Sequence, residues 1–188
     1  MRRRRWLILS GAFVGVVVLV VGAYLFQPWR LWTTTVVDDA LPPAASPLPT
    51  EDAPATTPPP DTTPEPVAPP APVDLATGSF ITHEHQTSGS VRIVQQPDGS
   101  RVLAIAGLDT SDGPDLRVWL SDQPVIEGTA GWGVFDDGLF LELGTLKGNV
   151  GDQVYEIPAG VDITPYTSVS IWCARFAVSF GAAALAYA

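Results

Sequence analysis

Cysteine, methionine and lysine each occur once in this 188-residue chain, and histidine twice. A lone Cys173 excludes an internal disulfide, any Cys-x-x-Cys motif and the Cys-x-x-Cys-His attachment of a c-type haem. The methionine is residue 1, and the histidines are His83 and His85, so a metal site finds only two imidazoles, in "THEHQ", and no third ligand. Basic charge is equally sparse. After Arg2–Arg5 and Arg30, the other five basic residues lie beyond residue 90 among a larger number of acids, and the net charge is −10. Binding a polyanion relies on Lys and Arg neutralising phosphates, so no nucleic-acid partner is expected. No Ser/His/Asp or paired-carboxylate arrangement follows from spacing, which leaves a hydrolase without support.

Charge is missing altogether from Trp6 to Phe26, "WLILSGAFVGVVVLVVGAYLF". As a helix this stretch spans roughly 30 Å, the thickness of a bilayer's hydrocarbon core. Trp6 at one edge, with Trp29 and Trp32 at the other, suits aromatic anchors at the interfaces. The preceding arginines hold residues 1–5 in the cytoplasm, which places the chain beyond the apolar run outside a plasma membrane crossed once. A cleaved signal peptide is the competing reading. Its apolar region is usually about 7–15 residues and ends at a small-x-small site, whereas "QPWRLW" comes next here, so an uncleaved anchor is expected. Gly11 and Gly15 form a Gly-xxx-Gly pair that suits close helix pairing or is simply tolerated in a membrane helix.

Residues 27–77 read as an extracytoplasmic linker. Between Asp38 and Asp74 there is neither glycine nor an aromatic residue, and proline recurs throughout. Such a composition buries too little apolar surface to offset chain entropy, so a disordered, polyproline-II-biased stalk is expected. It would hold a domain away from the membrane. Its threonines among prolines permit O-glycosylation.

From residue 78 to 188 the texture changes. "SVRIVQQ", "RVLAIAG", "LRVWLS", "GLFLELG", "QVYEIP", "SVSIWCARF" and "AVSFGAAALAYA" are short apolar runs parted by Gly, Pro, Asn and Asp clusters. This spacing predicts an all-β domain, a single antiparallel β-sandwich, although Ala182–Ala186 is ambiguous by propensity. The Ala, Pro and Arg bias with a single lysine points to a GC-rich bacterial genome.

Four blocks, "GSFITHEHQTSGSVRI", "DGPDLRVWLS", "LGTLKGNVGDQVYEIP" and "SVSIWCARFAVSFGAAAL", together resemble the DM-thirteen domain, from Gly78 to about Leu185. Pro124–Leu143 departs from that pattern, so nothing is carried over there. The resemblance implies a small extracytoplasmic electron-transfer module related to DOMON-type sandwiches. It further implies that Cys173 serves as a bare thiol or as a ligand to a prosthetic group such as haem. His85 falls where the family's H-x-x-SG segment has its histidine, which makes Cys173 with His85 the candidate cofactor-binding pair.

The residues alone allow a plainer reading. In "SVSIWCAR", Val169, Ile171 and Cys173 share one strand face, so the cysteine goes with the apolar set. A buried thiol has a raised pKa and is inert. Arg175 lies two residues on, where it either stabilises a thiolate or marks the strand's exit to solvent, the favoured reading. Trp119 and Trp172 fall on the less apolar faces of their strands, as packing or as a stacking platform. "DDG" (Asp136–Gly138) and "GPD" (Gly113–Asp115) read as turns. Two functions therefore stand. One is a membrane-anchored redox module acting through Cys173, with a redox or cell-envelope protein as partner. The other is a non-catalytic surface interaction or structural module in which Cys173 is core filler.

Overall fold

The computed structural model describes residues 2–43 and 71–188. An apolar helix, α1 (Arg2–Phe26), leads into a short 3-10 turn, Pro28–Trp32. Its stretch Leu9–Phe26 is a candidate membrane span by length and composition. Ten strands come next: β1 (Val36–Asp38), β2 (Val73–Thr82), β3 (Ser88–Gln95), β4 (Arg101–Asp109), β5 (Leu116–Ser121), β6 (Phe140–Thr145), β7 (Val150–Ile157), β8 (Ser168–Cys173), β9 (Val178–Ala184) and β10 (Ala186–Tyr187).

All-β is the observed class, as one curled sheet in the order β1-β7-β4-β3-β2-β9-β8-β5-β6, with β10 beside β2. Strand β2 makes the curl. Its first part, to Ser79, pairs with β3, while Phe80–Thr82 pair with β9, so one strand serves both halves. The halves close on a single core. Val91, Ile93, Leu103, Ile105, Tyr155 and Ile157 from one side meet Leu116, Val118, Leu120, Val169, Ile171 and Phe180 from the other. Period-2 alternation produces this, since each of these strands turns every second residue inward. The alanine-rich tail is a strand despite its helical propensity. Strand β9 is hydrogen-bonded on both sides, to β2 and β8, and tertiary pairing overrides propensity there.

Two expectations need correction. The sheet is mixed, because β1 pairs with β7 in parallel, Val36 opposite Val150 through Asp38 opposite Asp152. Strand β1 also lies inside the stretch expected to be linker, and β2 begins at Val73, so both ends of residues 27–77 belong to the folded domain. "TTTVVD" is β-branched enough to pair once an edge is offered, and that edge comes from distant sequence. The central part of the expected stalk, residues 44–70, lies outside the described residues.

The outer face of β5 and β8 is covered as well. Trp119 stacks on Trp172 with centroids 5.0 Å apart, Phe135 meets Trp172 edge-on at 6.3 Å, and Phe140 stacks on Trp119 at 4.1 Å. Phe135 is fully buried and comes from the stretch Pro124–Leu143, where the family resemblance breaks off. Of the two alternatives for the tryptophans, packing is what the structure contains.

Candidate functional site

The strands run up and down, so the turns after β2, β4, β6 and β8 gather at one end of the domain. Both residues singled out from the sequence are at this end. Cys173 closes β8, opposite Leu116 on one side and Val178 on the other. Its side chain belongs to the main core with Val169 and Ile171, as alternation required, and it is fully buried. Burial pushes the thiol pKa above its usual value, with the backbone of Phe176, Arg175 and Asp115 opposing and the Glu84 charge reinforcing the shift. At neutral pH the group is a protonated thiol.

"THEHQ" is a bend rather than a strand, so the two histidines part company. The His85 ring lies on Phe180, centroids 3.9 Å apart, and its Nε2 is 3.8 Å from Glu84 Oε2. Phe180 is itself packed in the same cluster as Cys173. His83 turns the other way and is buried, with Nδ1 3.0 Å from Ser179 Oγ, which in turn accepts from Ser170 Oγ at 3.0 Å. Desolvation by burial lowers the His83 pKa. Among the described residues its Nε2 has no hydrogen-bond partner, and neither does the buried Nε1 of Trp132. This Ser-Ser-His chain had no signal in the sequence, because its members are far apart and none forms a motif. Among the described residues, no cluster of three His, Cys, Asp or Glu side chains could hold a metal.

Arg175 does leave the core, and it finds a partner. It sits in the turn after β8 and donates from Nη1 to the Leu25 carbonyl, 2.8 Å away, in the last turn of α1. A guanidinium there supplies one of the carbonyl partners that a helix C-terminus lacks. Beside it Phe176 stacks on Phe26, centroids 5.6 Å apart. The same turn holds Ala177 at φ 51°, a left-handed conformation that costs an L-residue roughly 1–2 kcal/mol.

Between the end of α1 and the domain lies a cavity of about 230 Å³, walled by Phe26, Gln27, Glu84, His85, Phe176 and Phe180 among others. Cys173 lines none of the described cavities. Haem held between Cys173 and His85 therefore does not fit the chain as folded. The sulfur faces packed side chains, and the space at His85 is smaller than the roughly 300–1,000 Å³ of sites that bury even drug-sized ligands. No hydrogen bond joins Cys173 to His85 among the described residues. What the arrangement offers is a protonated thiol in the core, one residue from a strained turn, at the end where α1 meets the domain.

Residues 79–185 match the family model described as "Electron transfer DM13". No curated protein and no solved structure matches the chain. The matched span begins within β2 and ends just past β9, so it takes in both halves of the curled sheet and the turns around Cys173 and His85. The chain belongs to the DM13 electron-transfer family.

Proposed function

We propose that this protein is a membrane-anchored, extracytoplasmic electron-transfer module that works through Cys173 as a bare thiol, reached from the end of the domain where His85 lies. The observation that carries this reading is the position of Cys173 at the last residue of β8, directly before the turn Ala174–Ala177, whose Ala177 is held at positive φ. Strain of this kind persists at sites that switch or open, and opening four residues would expose the sulfur without unfolding the sheet. The chemistry is that of one thiol. Sγ loses its proton and attacks a disulfide of an electron-carrying partner; a mixed disulfide forms, the partner's S–S bond breaks, and the leaving sulfur takes the electron pair. Membrane attachment in this reading comes from Leu9–Phe26, with Arg2–Arg5 on the cytoplasmic side.

Thiol titration of the full chain in detergent, folded and then in denaturant, tests the reading beside an absorbance scan after haem addition. The expected result is slow but measurable labelling of folded protein, a mixed disulfide with a carrier supplied in its oxidised, disulfide form, and no Soret band. A thiol that reacts only after unfolding, in a protein whose redox behaviour survives Cys173→Ala, would remove it. The complete burial of Cys173 favours the second reading, a surface interaction or structural module with the cysteine as core filler, and that outcome would select it.

A further inference from the structure

We infer that residues 27–43 are a docking strap that seats the domain directly on the face of the membrane, His85 and Cys173 end foremost, so that the path from membrane to domain runs through this strap. The membrane part of this rests on α1 spanning a bilayer, as proposed above.

Contacts along the strap are continuous. At its start, Arg30 Nη1 donates to the Gly113 carbonyl at 3.0 Å, and Thr33 Oγ1 donates to Asp112 Oδ2 at 2.6 Å. The backbone of Thr35 then donates to Asn149 Oδ1 at 2.7 Å and accepts from the Val150 amide at 3.2 Å. Strand β1 continues in parallel register on β7. Asp39 accepts from the Val154 amide at 2.9 Å and pairs with Lys147, the only lysine of the chain, at 2.5 Å; that hydrogen bond is the main cause holding its carboxyl below the ordinary range. Beyond it Leu41 packs over Val94, Val102, Ala104 and Val154 on the outer face of the sheet.

The domain is shaped to receive this strap. A side chain at Gly151, which sits at φ +104°, would collide with the Val37 carbonyl, and one at Gly148 would collide with that of Thr35. An edge strand normally ends in unpaired backbone groups that proteins must blunt. Here the chain supplies its own partner, from the segment that leaves the span.

The way back is fixed at the same point. Arg92 donates from Nη2 to the Pro42 carbonyl at 2.6 Å and from Nη1 to Asp74 Oδ1 at 2.8 Å. One guanidinium therefore holds both the departure and the return of the proline-rich segment. With Arg175 on Leu25 and Phe176 on Phe26, the Cys173 end is turned toward α1. A partner reaching Cys173 from that end must lie in or on the membrane.

The test separates attachment from tether. The full chain, carrying a site for a specific protease between residues 44 and 70, is reconstituted in phosphatidylcholine vesicles, cut completely and floated. The domain is expected to float with the vesicles after cutting, and Gly151→Val is expected to float before cutting and to be lost after it. Release of the domain from the otherwise unaltered chain would overturn the inference. If Gly151→Val does not fold by circular dichroism, Val37→Pro replaces it, since that change lies on the strap and removes a backbone donor from the middle of β1. None of these readouts involves electron transfer, so they stand or fall apart from the role of Cys173.

Discussion

Replacing Cys173 by serine should destabilise the domain more than replacing it by alanine, although serine is the closer match in size. The sulfur is completely buried among Val169, Ile171 and Phe180, in a cluster built of apolar side chains. Alanine loses one buried atom, comparable to trimming one methyl group, which costs about 1 kcal/mol. Serine keeps a smaller γ atom but places a polar hydroxyl in an apolar cluster, adding about 1–3 kcal/mol of desolvation. Urea melts of the two variants measure the difference directly. A serine variant as stable as the alanine variant would mean that a polar partner or solvent reaches this position, and the description of the site would fail. A second readout has a definite sign. Folding raises the thiol pKa, so above the ordinary value of 9.0 the unfolded chain releases its proton first and stability falls as pH climbs toward the folded value. The unaltered protein should lose stability relative to Cys173→Ala as pH rises through and above 9.0, because the Cys173→Ala curve lacks this component. Labelling rates then separate the two functional readings. If the sulfur is reached only by global unfolding of about 5 kcal/mol, folded protein should react several thousand-fold more slowly than unfolded protein. Opening of the Ala174–Ala177 turn alone would give much weaker protection.

His83 should produce a loss on the acid side. Its pKa is lowered by burial, so as pH falls below its ordinary 6.5 the unfolded state takes up a proton first and stability drops; in His83→Gln the melting temperature should change less between pH 7 and 5. Trp172→Ala should cost about 3–5 kcal/mol, because the indole is 1% exposed, stacked by Trp119 and met edge-on by Phe135; a loss below 1 kcal/mol in a urea melt would refute the packed outer layer.

Sequence reading succeeded wherever the signal was local. The runs that became β3, β4, β5, β7, β8 and β9 were visible because turn residues bracket them, and the inward set of β8 came from alternation alone. The turns at Gly113–Asp115 and Asp136–Gly138 were equally plain, since a proline and a paired aspartate favour them wherever they fall. Three things stayed hidden because they depend on partners far along the chain. Strand β1 has three residues and exists only beside β7, more than a hundred positions away. The cover over Trp172 comes from a loop with no periodicity, whose Phe135 is anchored by what it meets. The separation of His83 from His85 arises from a bend that their alternating spacing did not announce. For Cys173, alternation predicted burial correctly, but the lack of a described cavity beside it required coordinates.

The double grip of Arg92 makes the chain between its two contacts a closed loop, and the length of a closed loop matters little. Doubling or halving such a loop alters its closure entropy by only about 0.6 kcal/mol. Lengthening or shortening the chain between Pro42 and Asp74 should therefore leave the melting temperature of the sheet nearly unchanged so long as both Arg92 contacts are kept.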